Sequence, residues 1–533
     1  MDNKNFPIAS AIRRAYKNNM EDETLLPHIL VDDEGNAIGR ISANDSVIFY
    51  NIRGEREIEL TESLTVPNFN KFTTKRNLNL NFATMIEYSP KLPVAIAFPP
   101  VGAIEDTLCD ILSKNGIKQV KITEAEKAVH VSFFLSGKKY STLADEEFII
   151  VPTRKDVAFF DEAPEMSIAE ITQTTIAKIN DNSVGFIFVN FPNADVLGHI
   201  ENEQAILRAL TTVDEHTGLL VDEAMQQEMD IIVSADHGSV EKWLYPDGAI
   251  DTGHTDSDVP FILISNDHRL CAEAGELIDI APSVLALFGI DKPAVMTGEN
   301  LIAPQITSSQ ETKRDNTKKR VLFILLDGWG WNDNQRGNLI AKADTPIMDK
   351  LMSKYAWAKL SASGESVGLL AGTVGNSEAG HLHIGAGRKI FSDRVHIDLS
   401  IADGSFFCNS AFISAMDNAI KNNSALHLLG IVSFFSSHGS INYLFALIDM
   451  AKSRGVQKLF VHAMLGRRGE LPESGALYIQ QVEQKLADMS LGSLVSVIGR
   501  YWSMDREENW DRIEKTYCML VNGEQSVAVR KND

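Results

Sequence analysis

The chain has 533 residues, 44% of them hydrophobic, more than one core usually supports, so two or more domains are expected. Its 50 lysines and arginines against 72 aspartates and glutamates give a net charge of -22, which argues against a general binder of nucleic acid or anionic membrane; any anion site must be a local cationic patch. Four cysteines (Cys109, Cys271, Cys408, Cys518) without paired spacing argue against a thiolate metal centre and fit reduced thiols in a cytoplasm.

The opening stretch, with Arg13, Arg14 and Lys17, lacks the apolar core of a signal peptide, and no run approaches the ~18 apolar residues of a membrane span. The run Val47–Tyr50 is followed by Arg53 and Arg56, and Lys127 closes Glu124-Ala-Glu-Lys127. Gly185–Val189, Met229–Val233 and Val321–Leu326 are short aliphatic or aromatic runs broken by polar residues, as buried parallel strands are. Asp195 and His199 stand just past the first, Asp236 and His237 past the second, and Asp327 ends the third. His254 lies in the polar loop Asp251–Asp256 before a predicted strand at Pro260–Ile264. A helix is predicted over Asp279–Gly289 with the glycine past its end, and Pro304–Lys319 reads as a solvated linker. Beyond it, predicted strands at Ala425–Gly430, Lys458–His462 and Val495–Gly499 alternate with helices at Ile441–Lys452 and Ser474–Met489. The fold class is α/β throughout, with no internal repeat.

Sites in open α/β sheets form outside the carboxyl ends of the strands, so a carboxylate and histidine set delivered there reads as a metal site. Each signal alone has an ordinary alternative: Asp195 and His199 as a helix-surface pair, Asp236 as a helix cap, His254 as a loop residue. Together, Asp195, His199, Asp236, His237, His254, Asp327 and Ser377 make a mixed oxygen and nitrogen set that suits Mn²⁺ or Zn²⁺ better than Ca²⁺. Ser377, in Gly375-Asn-Ser-Glu-Ala-Gly-His381, precedes a predicted helix whose unpaired N–H groups suit a phosphate, and a divalent ion beside it would make it a nucleophile. A second, cationic set comprises Arg53, Arg56, Lys127, Arg500 and Arg506, whose ordinary reading is solvated ion pairs; His438 and His462 carry a similar one.

The motifs L-L-D-G-W-G, G-N-S-E-A-G-H, G-R-Y-W-S-M-D-R, A-D-H-G and N-F-P-N-A-D-V-L-G-H resemble those of the 2,3-bisphosphoglycerate-independent phosphoglycerate mutases of the alkaline-phosphatase superfamily. The order differs from the family's: moving residues 1 to about 305 behind Asp533 restores it, so the chain looks circularly permuted, with the linker joining the old ends. The resemblance implies two α/β domains: a phosphatase-like metal domain over 100–391 containing the linker, and a smaller phosphotransferase domain assembled from 1–99 and 392–533, with hinges near Pro99-Pro100 and Ser392. It implies one divalent ion on Asp195, His199 and His254 and another on Asp236, His237, Asp327 and Ser377. Mn²⁺ is the family's preference, with Zn²⁺, Co²⁺ or Mg²⁺ as alternatives, and no 2,3-bisphosphoglycerate is needed. It assigns Arg53, Arg56, Lys127, His438, Arg500 and Arg506 to the substrate, a small phosphorylated acid. Ser377 would carry the phosphoryl group between the two hydroxyls of glycerate. A cytoplasmic monomer without nucleic-acid or membrane partners is expected.

Two loops depart from the family. Where it has S-D-G-G-V-H-S this chain has Ser433-Phe-Phe-Ser-Ser-His-Gly439, and where it has H-G-F-L-D-G-R-D this chain has His462–Gly469, with Gly466 and Gly469 in place of aspartates. The competing readings are a phosphatase or mutase of the same superfamily acting on another phosphorylated acid, and a non-catalytic binding or regulatory paralogue.

Overall fold

The computed structural model describes residues 6–75, 78–139, 143–305, 319–434, 436–466 and 473–531. Most of the expected linker (306–318), together with Gly469, Met1 and Asp533, lies outside them. The chain divides into two compact units, one formed by residues 1–100 and 396–533 and the other by 101–395. Each is α/β, built on its own eight-stranded sheet.

In the unit of residues 101–395 the sheet order is Ala274–Glu276, Trp357–Ser361, Val259–Ile264, Asp230–Ser234, Val321–Leu326, Phe186–Phe191, Gln119–Glu124, Glu146–Val151. Val321–Leu326 runs parallel between Phe186–Phe191 and Asp230–Ser234, with Val321 opposite both Phe186 and Asp230. Nearly every residue of these strands is buried, which is why they read as continuous apolar runs rather than alternating ones. Val259–Ile264 instead pairs antiparallel with both its neighbours. The helix Ile280–Phe288 ends on Gly289, whose φ of 72° lies in the left-handed region that glycine adopts at no steric cost.

In the unit formed by both ends of the chain the order is Val527–Arg530, His28–Val31, Ser493–Gly499, Leu459–Leu465, Leu426–Ile431, Ser46–Phe49, Asn81–Ile86, Ala95–Phe98. The inner strands are parallel, and His28–Val31 turns antiparallel against Ser493–Gly499. From Leu426–Ile431 the chain steps outward through Leu459–Leu465 to Ser493–Gly499, and from its neighbour Ser46–Phe49 it steps the other way through Asn81–Ile86 to Ala95–Phe98. The carboxyl ends of Leu426–Ile431 and Ser46–Phe49 therefore flank a topological switch point, where open α/β sheets form their binding crevice. Among the described residues no helix is long and apolar enough to cross a membrane.

Candidate functional site

In the continuous unit, four neighbouring parallel strands deliver polar side chains at their carboxyl ends. Asp327 follows Val321–Leu326, Asp195 lies in the short helix Asn193–Gly198 after Phe186–Phe191, Asp236 and His237 follow Asp230–Ser234, and Lys127 follows Gln119–Glu124. Ser377 opens the helix Ser377–Ala386, whose N-cap Asn376 accepts from the Ala379 N–H. The close packing needs glycine: Gly328 has φ of 81°, and a Cβ there would sit 2.8 Å from the Asp195 Cα.

Ser377 Oγ is 2.7 Å from Lys127 Nζ, 3.0 Å from His237 Nε2 and 3.2 Å from Asp327 Oδ1. The Lys127 ammonium also donates to Asp195 Oδ2 at 2.7 Å and to Asp327 Oδ1 at 2.9 Å. Asp195 Oδ1 lies 3.0 Å from His254 Nε2, 3.5 Å from His199 Nε2 and 3.7 Å from His237 Nε2. All of these groups are buried except His199, which is about half exposed, and His254, which is part-buried. A cavity of 590 Å³ opens beside His254, lined by Lys242, Tyr245, Asn332 and Arg336.

The electrostatics follow from this crowding. Burial pushes the Asp195 carboxyl up, but Lys127, His199 and His254 outweigh it and hold the group well below the usual carboxylate range. Asp236 is also lowered, its burial outweighed by His237 and His381. Burial opposes charge on His237, yet Asp236, Asp327 and Asp195 carry it up to about 10. Lys127 is likewise raised against its burial by Asp327, Asp195 and Asp236.

The donor set fits divalent ions. His199, His237 and His254 each place Nδ1 within hydrogen-bond reach of a backbone carbonyl (Thr252, Gly238 and Gly375), which can only accept. In its neutral form each ring then keeps its proton on Nδ1 and presents an Nε2 lone pair to an ion, as metal-binding imidazoles do. Asp195 Oδ1 and Asp236 Oδ2 are buried oxygens that meet imidazole nitrogens, of His254 and His199 in the first case and of His381 in the second, a mixed oxygen and nitrogen set of the kind that holds a divalent ion. Among the described residues, two clusters have ligand atoms within 4.8 Å of one another: Asp195, His237, His254, and Asp236, Asp327, His381. The partition expected from the motifs differs, putting His199 in the first and His237 and Ser377 in the second. His237 reaches both sets, since its Nε2 is also 3.4 Å from Asp327 Oδ1.

Sequence reasoning did not single out His381, whose Nδ1 lies 3.0 Å from the Ser377 carbonyl and 3.1 Å from Asp236 Oδ2, or Asn190, which donates to Asp327 Oδ2 at 3.2 Å. One signal was the i,i+4 spacing from Ser377 to His381; Asn190 stood out only as a polar residue inside an apolar strand.

The expected substrate set divides between the units. Lys127 sits among the carboxylates just described. In the other unit, Arg506 Nη1 pairs with Glu55 Oε2 at 2.8 Å and Arg53 approaches the same oxygen at 3.6 Å. Arg56 donates to the Met504 carbonyl at 3.1 Å, and Arg500 lies 4.0 Å from Glu23. His438 is buried on Glu57. Arg53, Arg56 and His438 follow the two switch-point strands in sequence. His462 is internal: its Nε2 meets His427 Nδ1 at 2.9 Å and its Nδ1 meets Ser496 Oγ at 2.7 Å. Burial holds its ring neutral, far below the usual imidazole range, so it serves packing across the sheet.

Residues 10–292 match the model of the metalloenzyme superfamily, and residues 397–532 match that of the BPG-independent PGAM N-terminus. A 2,3-bisphosphoglycerate-independent phosphoglycerate mutase of Lachnoclostridium phytofermentans is 45% identical over 208 residues, 39% of this chain and 40% of that protein. A protein of the same name from Clostridium botulinum is 36% identical over 293 residues, 55% of this chain and 57% of its own. The chain thus spans about half the length of the curated relatives it matches. A crystal structure of Leishmania mexicana phosphoglycerate mutase at low cobalt concentration is 26% identical, with a TM-score of 0.36 over 52% of this chain and 53% of that one.

Proposed function

The chain belongs to the metalloenzyme superfamily, and on that premise we propose that it interconverts 3-phosphoglycerate and 2-phosphoglycerate through a phosphoserine at Ser377. The observation that carries this is the position of Ser377 Oγ at a helix N-terminus, within 3.2 Å of Lys127, His237 and Asp327. The names of the matched relatives support the substrate.

Asp195, His199 and His254 would hold one divalent ion, and Asp236, His237, Asp327 and Ser377 the other, with Mn²⁺ as the metal proposed. Such ions lower the proton affinity of a bound hydroxyl and screen the charge of an incoming phosphoryl group. The chain's own residues do the rest. Asp327 and His237 fix the Ser377 rotamer, and His381 holds Asp236 against the first turn of the serine's helix. Lys127 offers the serine oxygen a proton as it leaves and a charge to the phosphoryl oxygens. Arg53, Arg56, Arg500 and Arg506 bind the carboxylate and phosphate of the acid, for which guanidinium forks are suited.

The circular permutation is part of this reading. It is supported by a match to a model described as an N-terminus falling at residues 397–532, behind the metalloenzyme match at 10–292. It is supported too by strands from both ends of the chain meeting at one switch point. The reading carries with it a cytoplasmic, monomeric enzyme that needs no 2,3-bisphosphoglycerate. The test is to incubate the chain and Mn²⁺ with 3-phosphoglycerate and assay 2-phosphoglycerate and free phosphate. Formation of 2-phosphoglycerate is expected; phosphate alone would favour a phosphatase, and the absence of both products would overturn the proposal.

A further inference from the structure

Glu57 is fully buried, which a glutamate rarely is unless it is paired. It stands at the N-cap of the helix Ile58–Thr65 but its side chain caps none of that helix's N–H groups. Its Oε1 instead accepts from Asn51 Nδ2 at 2.7 Å and meets His438 Nδ1 at 3.0 Å, and its Oε2 accepts from the Arg56 N–H at 3.1 Å. The carboxylate is thus aimed, with an amide clamping it from behind. Asn51 is itself fixed, since its Oδ1 accepts from the Ile431 N–H at 2.8 Å. The His438 backbone is tied to the same segment, its carbonyl accepting from the Ile52 N–H at 2.8 Å and its N–H donating to Ser436 Oγ at 3.2 Å. Glu57, Asn51 and His438 all follow the two switch-point strands, beside Arg53 and Arg56.

We propose that Glu57 is a positioning residue that holds His438 with its proton on Nδ1, so that Nε2 exchanges a proton with a hydroxyl of the phosphorylated acid. The inference rests on the reading above that His438 faces substrate. A carboxylate can only accept, so the ring's Nδ1 must donate to Glu57, and the neutral imidazole keeps its lone pair on Nε2. When that lone pair takes the hydroxyl proton, the O–H bond breaks, an Nε2–H bond forms, and the electron pair stays on the oxygen that receives the phosphoryl group. The imidazolium so formed is stabilised by Glu57, as in other carboxylate and histidine pairs, and returns its proton in the reverse direction. The chain supplies this carboxylate while carrying Phe434 and Gly466 where the resembling family has aspartates, so Glu57 gives the substrate histidine an acidic partner of its own.

The test uses the full chain with ¹⁵N-labelled histidine, assigning the His438 ring by its loss in His438→Asn. Metal-free and substrate-free wild type should show the Nδ1–H form of His438, and Glu57→Leu should shift it toward Nε2–H. Where Glu57→Leu does not fold, Glu57→Gln, which keeps an acceptor oxygen, decides: it should preserve the Nδ1–H form and lower kcat by about 10- to 100-fold with KM for 3-phosphoglycerate within about twofold. An Nε2–H form in the wild type overturns the proposal, as does an unchanged kcat in Glu57→Gln. If the wild type turns over no phosphoglycerate, the proposed function fails, and the ring's protonated nitrogen still decides whether Glu57 positions His438.

Discussion

His199 and His254 face each other Nε2 to Nε2 at 3.1 Å, each with Nδ1 turned to a backbone carbonyl. Two lone pairs do not rest at that distance without a positive charge between or beside them, and Asp195 Oδ1 is 3.0 Å from one and 3.5 Å from the other. A proton or a metal ion can supply that charge, so the two compete.

Metal uptake should therefore release protons. His237 is carried up to about 10, so it holds a proton through the neutral range when no ion is present, and His199 is raised above its ordinary value, chiefly by its hydrogen bond to Asp195. The apparent affinity for Mn²⁺ should rise with pH from about 6.5 to 8.5, by about tenfold per unit for each proton displaced. Calorimetry in Tris and in HEPES at one pH measures the proton count directly. Affinity that does not change across that range would remove these histidines from the metal site.

Ser377→Ala should lose both phosphoenzyme formation and turnover, by about 1,000-fold or more, because Lys127, His237 and Asp327 converge on that one oxygen. Acid-quenched labelling with phosphorylated substrate followed by peptide mass spectrometry reads the first, and a coupled assay the second. Full turnover in the variant would rule out the covalent route.

Lys127→Met should separate two properties that share one ammonium. Without its charge, Asp195 and Asp327 lose a buried partner, which should cost about 3 kcal/mol of stability in the metal-free chain. The same carboxylates become free for a divalent ion, so Mn²⁺ affinity should increase while turnover falls by about 100-fold or more. Thermal unfolding with and without Mn²⁺ checks the pair of effects; weaker metal binding in the variant would show that Lys127 supports the ion rather than competing with it.

The strands were legible because burial on both faces writes itself as short apolar runs: Val321–Leu326, Phe186–Val189 and Ile231–Val233 announce themselves without any partner in view. Their order in the sheet was not, since Val321 and Phe186 are brought together only by the whole fold. The same limit applies to the site. Motifs named Asp195, Asp327 and Ser377, but a motif carries no information about what fills the space between its side chains. Lys127 was therefore grouped with the arginines by charge, although it lies against Asp195. Glu57 went unnoticed because its partner His438 is 381 positions away.

Glu483 offers a test of stability against pH in the unit that carries none of the proposed metal ligands. It accepts from the N–H groups of Ile8 and Ala9 at 3.0 and 3.1 Å, at the start of the helix Pro7–Tyr16. Burial pushes its carboxyl from 4.5 up to about 7, partly offset by those two N–H groups. A carboxyl raised on folding binds its proton more tightly in the folded chain, so its contribution is most favourable below pH 4.5 and is lost as pH rises toward 7. Denaturant unfolding at a series of pH values should show about 1–3 kcal/mol less loss over that window in Glu483→Gln than in the wild type. Identical slopes in the two proteins would mean that the folded carboxyl is not raised.

Gly466 stands where the resembling family has an aspartate, but restoring the acid there should do harm. Its φ is 106°, outside the range an aspartate adopts without strain, and a Cβ would sit 2.8 Å from the Glu23 Cα and 3.1 Å from the Arg500 Cγ. The glutamate backbone cannot yield as a flexible side-chain end would, so relief must come from Arg500 or from the loop itself. Gly466→Asp should lose about 1–3 kcal/mol of stability. If Arg500 grips the substrate's acid groups, KM for 3-phosphoglycerate should rise while Mn²⁺ affinity, set by residues of the other unit, stays as in the wild type. Unfolding curves, steady-state kinetics and a Mn²⁺ titration on the same preparation read all three. A variant as stable as the wild type with an unchanged KM would show that the loop relaxes around the new side chain and that Arg500 is not displaced.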